Sequence, residues 1–233
     1  MFHFGIPLSK SPMTNKRLGL FLYKSAGPTL LHEEALWARG IDPIAGVDEA
    51  GRGPLAGPVT AAAVILPAGF SLPGLNDSKK LSHQQRDILF AHLTANHEIL
   101  YCVAHASSEE IGRLNILQAT WLAMRRSLEG LEELGHPATH ALVDGLPVKG
   151  LPIPHTSLIG GDALSLSIAA ASILAKVTRD RIMEGLDREY PHYGFARHRG
   201  YATAEHLAKL KEYGPCPHHR RGFAPVSQTS FEL

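Results

Sequence analysis

Short apolar runs bounded by glycine, proline or charge recur along this chain, and they set its predicted elements. PIAGVDEA (43–50) and GPVTAAAVIL (57–66) read as buried strands on either side of a glycine-rich turn. EILYCVAHA (98–106) reads as a third strand. HALVDG and TSLIGGD read as two shorter ones, each ending in an aspartate. Between them the period changes to that of a helix. Ser82 and Gln85 stand at capping-box spacing before SHQQRDILFAHLTA. NILQATWLAMRRSLEGLEEL sets Ile116, Thr120, Ala123, Leu128 and Leu131 roughly on one side. A helix-rich remainder runs from about Leu164 to Tyr213. Three strands, a helical crossover and two more strands predict an α/β domain: a five-stranded mixed sheet flanked by helices, with a helical C-terminal extension.

The first 30 residues break this pattern. They carry Lys10, Lys16, Arg17 and Lys24, no acid, and scattered proline and glycine. Their apolar piece LGLFLY is too short for a signal-peptide core and lacks a small-residue cleavage site. A poorly ordered basic extension over 1–30 is expected, with a basic transit peptide as its alternative. A folded body over 31–226 and a flexible tail over 227–233 follow.

Composition narrows the class. A length of 233 residues suits one well-packed domain. No stretch approaches the roughly 20 apolar residues that span a bilayer, so no membrane partner is expected. Two distant cysteines, Cys102 and Cys216, make neither a disulfide framework nor a zinc knuckle, and two reduced thiols fit a cytoplasmic protein. Net charge is only +1, but Lys176 to Arg221 holds ten Lys or Arg against six acids. That excess suits a polyanionic partner, although a solvated helical face gives the same pattern.

The acids carry more information. Asp48, Asp144 and Asp162 each close a predicted strand, where carboxylates are disfavoured and, if buried alone, costly. Ligands of open α/β sheets collect at the carboxyl ends of strands. An oxygen-only donor set suits Mg²⁺ or Mn²⁺, whereas zinc favours His and Cys. Glu49 raises an objection, because neighbours on a regular strand point to opposite faces. Glu49 can join Asp48 only where pairing breaks down, and Gly51 and Gly53 offer such a break. Alternatively one acid binds metal while the other caps a turn. Asp144 before Gly145 also fits an ordinary turn, and Asp162 fits a helix N-cap.

GVDEAGRGPLAGPV, LNDSKKLS, LNILQATWLAM, LVDG, GGD, IAAASILAKVTRD, YGFARHRGYATAEH and HRRGFAPV occur in this order. Together, from about residue 33 to 226, they resemble bacterial ribonuclease HII, the type 2 ribonuclease H. The resemblance implies a ribonuclease H-like fold and a site where Asp48, Glu49, Asp144 and Asp162 hold two divalent cations, Mn²⁺ or Mg²⁺. It implies cleavage 5′ of ribonucleotides, in RNA–DNA hybrids and at single ribonucleotides embedded in duplex DNA, giving 3′-hydroxyl and 5′-phosphate ends. Such an activity removes misincorporated ribonucleotides and RNA primers.

Gly51, Arg52 and Gly53 resemble the segment that reads the 2′-hydroxyl, the group separating RNA from DNA. On residue types alone they equally make a structural turn with a surface arginine. Tyr201 resembles the tyrosine that packs on the sugar beside the ribonucleotide, the alternative being a tyrosine packed into a helix junction. Ser172, Lys176 and Arg179 share one helix face that could line the phosphate backbone, and Asn76, Ser78, Lys79 and Lys80 are further phosphate contacts. Two positions depart from the pattern. Gly160 replaces the usual lysine of Lys-Gly-Asp, and Gly222 replaces the usual serine before Phe223. None of the fourteen histidines stands in a motif that demands acid–base chemistry, so a surface or satisfied-polar role is expected for them. In the tail, Gln228, Ser230, Phe231 and Leu233 loosely suggest a replication-clamp peptide, with a disordered end as the alternative. The protein is expected to be a monomer.

Overall fold

The structure is a computed structural model and describes residues 27–229; the expectations for residues 1–26 and 230–233 lie outside the described residues. In chain order the elements are α1 (Leu31–Trp37), β1 (Ile44–Ala50), β2 (Val59–Ile65), α2 (His83–Ala95), β3 (Leu100–Ala106), α3 (Ser108–Leu114) and α4 (Ile116–Glu133). Then come β4 (His140–Asp144), β5 (His155–Leu158), α5 (Leu166–Glu189), α6 (Phe195–His198), α7 (Ala204–Tyr213) and α8 (Val226–Thr229). The strands form one sheet in the order β3-β2-β1-β4-β5. β1, β2 and β3 are antiparallel neighbours, while β4 and β5 run parallel to β1. The predicted five-stranded mixed sheet is therefore present, with helices on both faces.

Small side chains make this two-sided packing possible. Every residue of β2 is buried. Its Val59, Ala61, Ala63 and Ile65 join a core with Ala119, Ala123, Met124, Leu128 and Leu131 of α4. Ala62 and Val64, on the other face, pack with Ala169–Ala171, Ile173 and Leu174 of α5 and with Leu89 and Leu93 of α2. At Gly46 a Cβ would overlap the Ser167 backbone, so α5 lies directly on β1. Beyond the sheet, Met183, Leu186, Tyr193, Phe195 and Cys216 make a separate core for the C-terminal extension.

Several predicted boundaries shift. Thr29 forms a bridge with Ser165 and Leu30 is buried, so packing begins before Leu31. Ser227 and Gln228 belong to the α8 turn rather than to a tail. The last predicted strand stops at Leu158, and Asp162 sits in a 3₁₀ turn, Gly161–Ala163. Its aspartate does not cap α5, because Ser165 does, accepting the Ile168 N–H. The Ser82–Gln85 capping box forms as predicted.

Candidate active site

β1 is the strand on which the site is built, and its two edges end at different places. Pairing with β2 continues to Ala50↔Thr60, whereas pairing with β4 stops at Val47↔Val143. Asp48 is the first residue past that stop and Asp144 is the last residue of β4. After β5 the chain turns back through Gly160, whose φ of 68° lies in the left-handed region that favours glycine. This return delivers Asp162, and the Gly161 N–H donates to Asp144 Oδ1 at 2.6 Å. One carboxylate oxygen from each of Asp48, Asp144 and Asp162 lies within 4.8 Å of the others. Asp48 and Asp162 are buried.

Glu49 lies outside this group. It pairs with Ala61 on the α4 face, whereas Asp48 pairs with Ala62 on the α5 face. The expected break at the glycines therefore does not bring the two acids together. β1 stays regular through Ala50, and the gap is opened by the end of β4. Glu49 instead shares a cleft with Asp144, Leu117, Trp121, Leu146 and Arg52, whose guanidinium is 3.4 Å from the Glu49 carboxylate. Asp144 is common to the cleft and to the three-carboxylate cluster.

The electrostatics of the cluster suit a cation. Burial, then the charges of Glu49 and Asp144, push the Asp48 carboxyl well above the usual carboxylate range. Burial and the Asp144 charge raise Asp162, and burial raises Glu49 against the opposing pull of Arg52. At 4.8 Å two ionised carboxylates repel by about 3.5 kcal/mol at an effective dielectric of about 20. A hard divalent cation relieves that repulsion, and the all-oxygen donor set fits one. The nearest protein cation is the exposed Lys79, whose Nζ lies 3.5 Å from Asp162 Oδ2. Residue 160, where the resembling family carries lysine, has no such role here.

The Gly51-Arg52-Gly53 segment is held from beneath by two buried arginines. Arg220 donates to the carbonyls of Gly51 (2.6 Å), Arg52 (2.9 Å), Gly57 (2.9 Å) and Pro58 (3.1 Å). Arg179 donates to those of Pro58 (3.0 Å), Ala56 (3.1 Å) and Arg199 (3.1 Å). Burial lowers both guanidinium pKa values, to about 9 for Arg220 and about 10 for Arg179. Gly51 has φ +97°, and a Cβ there would overlap Arg179 Nε. The expected phosphate contact of Arg179 is thus corrected: its side chain is sealed under the loop. Arg220, which no spacing singled out, was visible only as part of the HRRGFAPV motif.

The remaining predicted contacts divide. Tyr201 is exposed, and its Cε1 lies 3.6 Å from where a Gly53 Cβ would stand, so the ring abuts the loop. Ser172 is buried and donates to Ser78 Oγ at 2.7 Å. Lys176 is held by Asp180 at 2.7 Å. Ser78, Lys79 and Lys80 form a 3₁₀ turn capped by Asp77, which accepts the Lys79 N–H, and both lysines are exposed. Asn76 accepts the Asp77 N–H at 2.9 Å. Of the predicted contacts in this loop, Lys79 reaches the carboxylates, and the neighbouring Asp77 also lies against Asp162, where its charge and hydrogen bond help raise the Asp162 carboxyl.

A family model for ribonuclease HII matches residues 45–226. Ribonuclease HII of Desulfitobacterium hafniense (strain DSM 10664 / DCB-2) is 56% identical over 199 residues, covering 85% of this chain and 75% of that protein. Ribonuclease HII of Syntrophotalea carbinolica is 51% identical over 211 residues, 91% of this chain and 99% of that one. Among solved structures, ribonuclease H2 from Pyrococcus horikoshii OT3 superposes with a TM-score of 0.63 at 26% identity, covering 80% of this chain and 96% of that chain. The PCNA:RNase HII complex from Archaeoglobus fulgidus gives 0.64 at 26% identity, over 77% and 94%. A trio of carboxylates at the β1–β4 break, two of them buried, on this sheet and with these relatives, places the chain in the ribonuclease HII family of metal-dependent endoribonucleases that act on RNA–DNA hybrids.

Proposed function

We propose that the protein cleaves the phosphodiester 5′ of a ribonucleotide, both in RNA–DNA hybrids and at single ribonucleotides embedded in duplex DNA. Two Mn²⁺ or Mg²⁺ ions serve as cofactors and the products carry 3′-hydroxyl and 5′-phosphate ends. The role is removal of misincorporated ribonucleotides and of RNA primers, a DNA-repair function, carried out in the cytoplasm by a monomer. The observation that carries the finer part of this reading is the contact of the Tyr201 ring with Gly53, one residue from the arginine that faces Glu49.

The residues divide the work. Asp48, Asp144 and Asp162 would hold one cation, and Asp144 with Glu49, across the adjoining cleft, would hold a second. When bound, the cations neutralise the phosphate and acidify a water. Arg220 occupies the Gly51 and Arg52 carbonyls, which leaves the amides of that segment as its donors. The N–H groups of Arg52 and Gly53 have no acceptor among the described residues. They are the donors available to a 2′-hydroxyl and its phosphate, and a Cβ-free Gly53 lets a sugar approach them. Tyr201 supplies a flat face for the neighbouring sugar. Lys79 and Lys80 face the solvent side, where a phosphate backbone would run. The clamp contact expected of the C-terminal tail draws support from the archaeal relative solved with PCNA.

The test is a duplex carrying one ribonucleotide, incubated with Mn²⁺ or Mg²⁺. A single cut 5′ of that ribonucleotide is the expected product. Cleavage of an all-DNA duplex, or no cleavage at the ribonucleotide, would overturn the reading.

A further inference from the structure

His206 and His219 are buried side by side under the C-terminal extension. Their Nε2 atoms are 3.0 Å apart. Each outer nitrogen has a backbone partner of fixed role, and His219 Nδ1 also lies 3.2 Å from Cys216 Sγ, whose S–H can donate to the same lone pair. His206 Nδ1 lies 2.9 Å from the Tyr201 carbonyl oxygen, which can only accept. His219 Nδ1 lies 3.0 Å from the Cys216 backbone N–H, which can only donate. The tautomers follow from these partners. His206 carries its proton on Nδ1, so its Nε2 accepts; His219 carries its proton on Nε2, which donates. A one-directional chain results, from the Cys216 N–H through His219 and His206 to the Tyr201 carbonyl. Both rings are neutral in it, because a second proton on either would set two N–H groups against each other across 3.0 Å.

The chain joins the two elements assigned to ribonucleotide reading. At one end is Tyr201 itself. At the other is Arg220, the residue after His219, which grips the carbonyls of Gly51 and Arg52. The backbone closes the same circuit: the Leu55 N–H donates to the Gly200 carbonyl at 2.8 Å, and the Arg220 N–H to the Leu55 carbonyl at 2.8 Å. His198 stacks on His206 with ring centroids 4.4 Å apart and has its own satisfied partners, Tyr193 O and Gly200 N. It leaves the chain with no spare acceptor.

We propose that His206 and His219 are positioning residues that hold Tyr201 at a fixed distance from the Gly51–Gly53 loop, so that the two read a ribonucleotide–deoxyribonucleotide junction as one rigid unit. The inference rests on the proposed roles of Tyr201 and Gly51–Gly53. Uniform RNA–DNA hybrid offers a ribose at every position and depends less on that spacing.

Two variants break the central bond from opposite sides. His219→Asn keeps an oxygen for the Cys216 N–H but does not reach His206. His206→Asn keeps an N–H for the Tyr201 carbonyl but does not reach His219. Steady-state kinetics with Mn²⁺ are measured on a single-ribonucleotide duplex and on a uniform hybrid, with melting temperatures of the same samples. Each variant is expected to lose about tenfold in kcat/KM on the single-ribonucleotide duplex and to stay within about twofold on the hybrid. The double variant is expected to be no worse than either single one, because both remove one bond. Equal losses on both substrates, additive losses in the double variant, or no loss would overturn the proposal. Either variant that folds suffices, since both test the same bond. Tyr201→Ala separates the two layers. If it shifts the preference and the histidine variants do not, this inference alone fails; if it shifts nothing, the underlying reading of Tyr201 fails.

Discussion

Replacing Asp48 by Asn should stabilise the metal-free protein and destabilise it, relative to the wild type, once metal is added. The carboxylate oxygens of Asp48, Asp144 and Asp162 lie within 4.8 Å of one another, and each fully ionised pair then costs about 3.5 kcal/mol at an effective dielectric of about 20. Asp48 takes part in two of the three pairs, so full ionisation of the trio would set about 7 kcal/mol of repulsion on it. Most of that is already avoided, because the buried Asp48 carboxyl holds its proton far more tightly than an exposed one. Asn also preserves the oxygen that accepts the Glu49 N–H at 2.7 Å. A net gain of about 1–3 kcal/mol remains, or roughly 2–10 °C in melting temperature for a domain of this size.

The pH dependence has a definite sign. The folded-state pKa of Asp48 is raised. The folded wild type therefore keeps its full stability below the ordinary aspartate value of about 3.9 and loses it as pH climbs through the raised one. The advantage of Asn should be absent in acid and grow toward neutrality. Metal reverses the order: binding at 100 times Kd adds about 2.7 kcal/mol to the wild type and far less to the variant. The assay is thermal unfolding in EDTA at acid and neutral pH, then in excess Mn²⁺. A variant less stable than wild type in EDTA at neutral pH, or an equal metal shift in both proteins, would refute the account of a repulsive carboxylate cluster.

Gly51→Ala should lower stability by about 2–4 kcal/mol and cut cleavage while Mn²⁺ binding persists, read by calorimetry beside kinetics, because its Cβ would overlap Arg179 at φ +97°. Arg220→Gln leaves the Gly51, Arg52 and Gly57 carbonyls short of donors, while Pro58 keeps its bond from Arg179, and a loss of about 3–5 kcal/mol should appear in the urea midpoint. Lys79→Ala should weaken substrate binding and reduce the slope of log affinity against log salt by about one, leaving the melting temperature nearly unchanged.

The carboxylate cluster was legible because acids that end apolar runs stand out against a strand's own preferences; Asp144 does end β4, whereas Asp48 sits two residues inside β1, at the point where pairing with β4 stops. Asp162 was found for a partly wrong reason. Its strand ends at Leu158, and the Gly160–Gly161 return was read as more strand. α1 and α3 went unseen because seven residues give too little period to count. The Ser107–Glu110 capping box of α3 was a missed local signal. Arg179 failed differently. Its helix face was read correctly, as shared with Ser172 and Lys176, but what covers that face is a loop more than a hundred residues earlier. Periodicity reports that a side chain faces something; it does not say whether that is solvent, phosphate or backbone.

That difference explains why two arginines, and not hydrophobic residues, fill the space under the Gly51–Gly53 loop. If the loop presents its amides to a nucleic acid, as proposed, its carbonyls turn inward, and an inward carbonyl without a donor costs about 1–3 kcal/mol. Arg220 meets that need at Gly51 and Arg52, and its other bonds with those of Arg179 hold the carbonyls of Ala56, Gly57, Pro58 and Arg199 around them. Neither guanidinium has a carboxylate partner among the described residues, and with pKa values of about 10 and about 9 both stay charged at neutral pH. An acid placed to neutralise them would have added negative charge to a site already crowded with carboxylates. Left unpaired, the two cations provide a positive field beneath the segment where a polyanionic strand must lie. The same side chains that shape the loop thus offset part of the repulsion between the substrate phosphate and Asp48, Glu49, Asp144 and Asp162.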